Sequence, residues 1–187
     1  MSTASAPSAA GTTTWNIDNS HTLAEFSVRH LMISTVKGRF GEVNGKVIAD
    51  DADPARAQIE ATINVASIDT REAQRDAHLR SADFFDAENF PTLTFRSTRI
   101  AKAAGGDDLT VTGDLTIRGT TREVTLDVTP EGRVKDPWGG ERLGFSAKGK
   151  IKRSDFGLTW NMALETGGVV VGDDIKIAIE VELVKQA

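Results

Sequence analysis

The chain has 187 residues, no cysteine, and 22 basic against 27 acidic side chains, for a net charge of −5. This length suits one domain with a substantial core, and the missing cysteine rules out disulfides, thiolate catalysis and thiolate metal sites. The acidic balance excludes nucleic acid as a partner, because phosphate binding needs clustered Lys and Arg. No run approaches the roughly 18 apolar residues of a membrane-spanning helix, so a soluble protein is expected.

Residues 1–14, "MSTASAPSAAGTTT", are small and polar and read as a disordered tail. They lack the basic start and apolar run of a secretory signal, so the expected location is cytoplasmic. The folded domain is expected over residues 15–187. Its first segment carries Trp15 and Ile17, breaks at "DNS", and resumes with Ala24, Phe26, Val28 and His30 alternating against Glu25, Ser27 and Arg29. That period of two is the signature of a half-buried strand. "LMISTVKGRF" reads as a partly buried connection. Val43, Gly45 and Val47 alternate next, and "ADDADP" closes that strand with turn chemistry.

The rhythm returns at Ile59, Ala61, Ile63 and Val65, and again at Leu93, Phe95 and Ser97. Between them lies the one helical segment, predicted over Arg71–Phe85 with Asp69 or Thr70 as its cap. Asp76 and Arg80 are four apart and suit a surface ion pair, while Leu79, Phe84 and Phe85 need an apolar destination. Leu109 to Ile117, a tight "RGT" turn, and Val124, Leu126 and Val128 form the next pair of strands. "DPWGG" then leads to Leu143, Phe145, Ala147, Gly149 and Ile151. "GGVVVGDD" reads as a hairpin connection, and Ile175, Ile177, Ile179, Val181 and Leu183 form the cleanest alternation of all.

Strands with one polar and one apolar face, joined by short turns, imply an antiparallel sheet that closes on itself to remove its edges. Small residues recur on the apolar face: Gly45, Ala61, Ser97, Gly113, Ala147 and Gly149. An unfilled apolar void costs about 24 cal/mol per Å³, so these positions favour a ligand cavity over a packed interior.

The polar motifs weigh little. His21, His30 and His78 have no acidic companion at a familiar ligand spacing, so no metal site is expected, and His30 reads as a hydrogen-bonded interior residue. "STVK" over Ser34–Lys37 lacks the companion motifs of a serine-lysine enzyme. "DDADP" lacks the glycine and distal glutamate of a calcium loop. "KGKIKR" over Lys148–Arg153 is the one locally basic stretch, a solvated strand face or a patch for anionic headgroups.

Four long segments carry a family resemblance: "WNIDNSHTLAEFSVRHLMISTVKGRFGEVNG", "ASIDTREAQRDAHLRSADFFDAENFPTLTFRST", "VTGDLTIRGTTREVTLDV" and "GFSAKGKIKRSDFGL". Their order and spacing resemble those of the YceI family, the lipocalin-like polyisoprenoid-binding proteins of bacteria. The resemblance implies an all-β, extended eight-stranded antiparallel lipocalin-like barrel with one short helical insert. It implies a bound isoprenoid lipid or isoprenoid quinone, no required cofactor and no catalytic motif. Many relatives are periplasmic or extracellular, from which this chain departs in showing no signal segment. A homodimer and transient contact with a membrane surface are further expectations.

Alternation then places the lining. Phe26, Val28 and His30 come from the first strand, Met32 and Phe40 from the segment after it, and Val43 from the next. Ala61, Ile63, Val65, Phe95 and Leu115 follow, with Phe145, Ala147, Ile177 and Ile179 from the last two strands. Phe84 and Phe85 pack inward from the insert, which acts as a lid or corner. Two other functions remain open: an enzyme acting on a lipid or amide-like small molecule, with His30 or His78 as base, or a ligand-free stress-response protein.

Overall fold

The computed structural model describes residues 11–50 and 52–187. Eleven strands appear: β1 (Thr12–Ile17), β2 (Leu23–His30), β3 (Ser34–Phe40), β4 (Val43–Asp50), β5 (Gln58–Asn64), β6 (Ile68–Asp69), β7 (Thr92–Lys102), β8 (Leu109–Ile117), β9 (Thr120–Lys135), β10 (Glu141–Lys152) and β11 (Val171–Lys185). One helix, α1 (Ala73–Arg80), lies between β6 and β7. Every pairing is antiparallel, and β11 returns to β1 and β2, which closes the sheet.

The eleven strands occupy eight lanes. β1 and β2 share one lane against β11, β3 and β4 share the next, and β5 and β6 the third; the other five strands are unbroken. Lanes adjacent in space are adjacent in sequence, so the fold is an eight-stranded up-and-down barrel, as predicted.

The three breaks lie side by side and bond to one another. In the first, Asp18 caps a single helical turn over Asn19–His21, and the Asn19 side chain accepts from Val43 N at 2.6 Å. In the second, Gly41 N donates to Ser67 O and Glu42 N to Ser67 Oγ. In the third, Asn64 caps the turn Val65–Ser67 and donates to the Glu42 carboxylate at 2.6 Å. Polar residues thus supply the bonds that a bent sheet forfeits.

Four sequence expectations shift. The sheet begins at Thr12, so residues 12–14 belong to the barrel, paired with Ile48–Asp50; of the rest of the predicted tail, residues 1–10 lie outside the described residues. "STVKGRF" is β3 and not a connection. Its inward phase is Val36, Gly38 and Phe40, and Gly38 hides the pattern because the Phe26 ring occupies the place of its side chain, 2.3 Å from an ideal Cβ. "VGDD" starts β11 and is not part of a hairpin. The helix is shorter than predicted, and Glu72 caps it by accepting from Gln74 N and Arg75 N.

At the β8–β9 turn, Arg118 and Gly119 both take positive φ, 49° and 73°. That is the primed turn a two-residue hairpin favours. Gly119 also admits the Phe90 ring, which an added Cβ would approach to 2.8 Å.

Candidate ligand-binding lumen

The ladders define the inner face. Ile175, Ile177 and Ile179 stand beside Val28, Phe26 and Ala24 on one flank and Ile151, Gly149 and Ala147 on the other. Phe145 joins the same phase opposite Val181. On the far wall Phe95 lies between Ala61 and Leu115, and Val111 opposite Leu126. The apolar lining therefore runs round the whole barrel.

Along β11 the outward Lys176, Ala178 and Glu180 are exposed, whereas Ile175, Ile177 and Ile179 are half-buried. Phe26, Val28, Ala61, Phe95 and Phe145 are half-buried too. An inward side chain in a closed sheet keeps accessible area only towards the lumen or through a gap in the wall. The middle of the barrel therefore carries an apolar lining that its own side chains do not fully bury.

The small residues act differently from the sequence expectation. A Cβ on Gly113 would lie 2.5 Å from the Phe95 ring, and one on Gly149 2.6 Å from Leu126. Ser97 is engaged as well, accepting from Ile59 N at 2.9 Å. These positions are not holes. A glycine lets the large neighbour on the next strand lie along the wall.

The upper end is closed by a buried apolar cluster. Phe40, Val65, Ile68, Phe84, Leu93, Ile117, Phe156 and Leu158 are buried there, with Phe26, Ile63, Phe85, Leu115 and Trp160 packed against them. Phe40 meets Phe85 edge-on at 5.8 Å, and Phe84 meets Trp160 at 5.4 Å. Of the predicted lining, Phe40, Val65 and Phe84 belong to this cap. Val43 is buried at 5 % exposure. Met32 does not line the barrel at all: it sits in the β2–β3 turn, 54 % exposed, because the alternation ends at His30. His30 is half-buried at the top of β2, and its ring has no hydrogen-bond partner among the described residues, contrary to expectation.

The polar insert straps this cap in place. Asp76 is 8 % exposed and accepts from Thr70 N at 2.9 Å and Thr70 Oγ1 at 2.5 Å. Arg75 donates to Thr70 Oγ1 and O, each at 2.8 Å. Arg80 reaches the carbonyls of Ala66 and Ile68 instead of pairing with Asp76. The predicted surface ion pair is thus replaced by bonds that tie α1 to the segment before it. Arg153, placed by sequence on a basic strand face, is buried and donates to the carbonyls of Leu158, Trp160, Val171 and Gly172; burial lowers its pKa. His78 bonds Asp83 at 2.8 Å and packs edge-on against Phe84 and Trp160.

The lower end is charged. Trp15, 2 % exposed, lies under the Arg133 guanidinium at 5.5 Å, and its indole N–H has no partner among the described residues. Arg133 and Lys185 both donate to Glu141, whose pKa is lowered, first by Arg133 and then by Lys185. Outside this layer Arg142 binds Asp18 at 2.9 Å, Asp136 at 2.8 Å and Glu182. Those three carboxylates hold its pKa above the ordinary value. Hydrogen bonds from Ser20, His21 and Arg142 hold the Asp18 carboxyl well below the usual range. His21 does have acidic company here, Asp18 and Glu182 within 4.8 Å, but Arg142 already supplies the positive charge. Sequence reasoning missed Trp15 as a lumen residue, although its alternation with Ile17 marks it.

One seam interrupts the wall. The β9–β10 ladder stops at Asp127 and Lys148, and above it β9 and β10 border a cleft of about 450 Å³. Val124, Ile151 and Phe156 line its depth, with Arg122, Lys150 and Lys152 among its polar rim.

Taken together, these features define a closed eight-stranded antiparallel barrel with an apolar interior, capped at one end and ringed by charge at the other. The chain belongs to the YceI-like family, whose domain matches residues 15–183. It is 40 % identical over 169 residues to Protein YceI of Escherichia coli, covering 90 % of this chain and 84 % of that one. Among solved structures, BcnA of Burkholderia cenocepacia superposes with a TM-score of 0.76 at 28 % identity, covering 89 % and 98 % of the two chains. The YceI protein of Campylobacter jejuni gives 0.72 at 37 %, over 85 % and 90 %. A polyisoprenoid binding domain from Saccharophagus degradans shares the fold at 15 % identity, TM-score 0.66, over 92 % and 98 %.

Proposed function

We propose that the barrel binds one long isoprenoid chain along its axis, as a carrier or store for a lipid of polyprenyl quinone or polyprenyl phosphate type. The half-buried apolar middle of the lumen, from Phe26 and Ile177 across to Ala61 and Phe95, carries this reading. Each buried CH₂ contributes about 0.8 kcal/mol, so a chain of several isoprene units has ample reason to leave water. It has little reason to leave a bilayer, so shape must do the selecting, and polar groups at the openings read the head. The shared fold of the Saccharophagus polyisoprenoid binding domain supports the ligand class. Binding is favoured over histidine catalysis because nothing among the described residues orients the His30 ring as a base, and His78, although it bonds Asp83, is packed edge-on against Phe84 and Trp160 of the cap.

Organic extraction of the purified protein followed by mass spectrometry should release an isoprenoid. Ala61→Trp places an indole between Gly45 and Phe95 on the inner face and should abolish lipid co-purification while the barrel stays folded. Wild-type lipid stoichiometry in that variant, or a bare polypeptide mass for the native protein, would count against the proposal.

A further inference from the structure

The outside of the upper end carries an apolar tip with no partner in the fold. In the β2–β3 turn Ile33 is 80 % and Met32 54 % exposed, and Met162 on the neighbouring loop is 58 % exposed. The three belong to one surface: Leu31 N donates to Val170 O, Val170 N donates to Met162 O, and the Met32 side chain lies over Gly168. Leu31 and Met32 both hold positive φ, 50° and 60°. They are the central residues of the turn that Ile33 N closes on His30 O within this three-residue loop, and two successive positive φ values favour Asn-Gly. Here bulky apolar residues occupy both central places against backbone preference, Leu31 half-buried and Met32 exposed. Nothing in the packing of the barrel asks for them.

Charge says what covers the tip. Below it, on the outer face, Lys37, Ser27, Lys176 and Lys150 stand side by side across β3, β2, β11 and β10. Lys148 lies on the next row, and Arg29 is exposed at the turn. Lys176 faces Lys150 directly, an arrangement that costs stability in a sheet. Lys150 leans on Asp174 at 2.7 Å and Lys148 faces Asp127 across the ladder, but Lys37 and Lys176 make no ion pair among the described residues. A protein of net charge −5 has thus gathered lysines behind Ile33, its most exposed aliphatic side chain among the described residues, and the exposed Met32 and Met162. Apolar groups that enter the acyl boundary, backed by cations at headgroup depth, are what an anionic lipid surface attracts.

We propose that this end of the barrel docks on anionic bilayers, with Met32, Ile33 and Met162 inserted and Lys37, Lys148 and Lys176 against the headgroups. The seam between β9 and β10, bordered by Arg122, Lys150 and Lys152 and equally by Glu123, Asp155 and Asp174, lies beside these strands and is held close to the membrane. The inference concerns the outer surface and does not depend on what the lumen holds.

Co-sedimentation with vesicles of phosphatidylcholine alone and of phosphatidylcholine mixed with phosphatidylglycerol tests it. The protein should partition to the mixed vesicles and much less to the neutral ones, and added salt should release it. Ile33→Asp should lower partitioning roughly tenfold. Lys37→Gln and Lys176→Gln should each lower it roughly fivefold, on the anionic vesicles alone. Met32→Gly separates docking from folding: it should raise the melting temperature, because glycine suits a positive φ, while weakening vesicle binding. Equal affinity for both vesicles, Ile33→Asp binding like wild type, or a dimer in sedimentation that Ile33→Asp dissolves would each overturn the proposal, the last in favour of a second copy of the chain.

Discussion

At the upper end of the barrel, Phe84, Phe156, Ile68 and Val65 bury one another almost completely. At the lower end, Trp15 is roofed by Arg133, and Glu141, Lys185 and Arg142 with its three carboxylates form the rim. One closure is apolar and the other ionic. The first draws its stability from area removed from water, largely indifferent to salt and pH. The second rests on partly exposed ion pairs, which contribute little in water and weaken with salt. The upper closure should therefore hold the fold together while the lower one responds to its surroundings.

Substitutions can break this contrast. Phe84→Ala should cost most, about 3–5 kcal/mol in urea unfolding, through cavity formation in the cap. Asp76→Ala should cost roughly 2 kcal/mol, because it strands the Thr70 amide and hydroxyl; Asp76→Asn should recover part of that. Arg142→Ala should have a smaller effect, and a pH-dependent one. The Asp18 and Asp136 carboxyls are held below their ordinary values, the first chiefly by the Ser20 hydroxyl and the second chiefly by Arg142. A depressed folded pKa stabilises above the ordinary carboxylate value and loses that contribution as pH falls through the folded one. The lower end should thus loosen first below about pH 4, seen as faster amide exchange around residues 136–142 than in α1. The gap between Arg142→Ala and wild type should narrow over the same range. Least of all should come from Glu141→Gln, whose melting temperature should match wild type in high salt.

Much of this was legible in the chain. The strand phases of β2, β5, β8, β10 and β11 follow from alternation, and the break at "DNS" appears where the structure places it. β3 was hidden because Gly38 erases an apolar position that only the Phe26 ring, from another strand, fills. Met32 was misplaced because periodicity carries no information about where a strand turns. The roles of Asp76, Arg80 and Arg153 were unreadable for a related reason. A charged residue in sequence looks solvated, and only the fold brings carbonyls such as those of Ile68 or Gly172 within its reach. Half-burial of the lumen lining is likewise a property of the closed sheet, not of any segment.

The three aligned strand breaks carry a consequence for how such a chain can vary. A strand slipped by one residue turns its whole inner face outward. In the first three lanes the pause at residues 18–22, 41–42 and 65–67 restarts the alternation. A residue gained or lost in the lower storey of those lanes need not invert the storey above. Among the other five lanes, β7, β9 and β11 carry bulges near residues 97–99, 130–132 and 171–175 that do the same over a shorter stretch; β8 and β10 have no such reset, so length changes there should be confined to their turns.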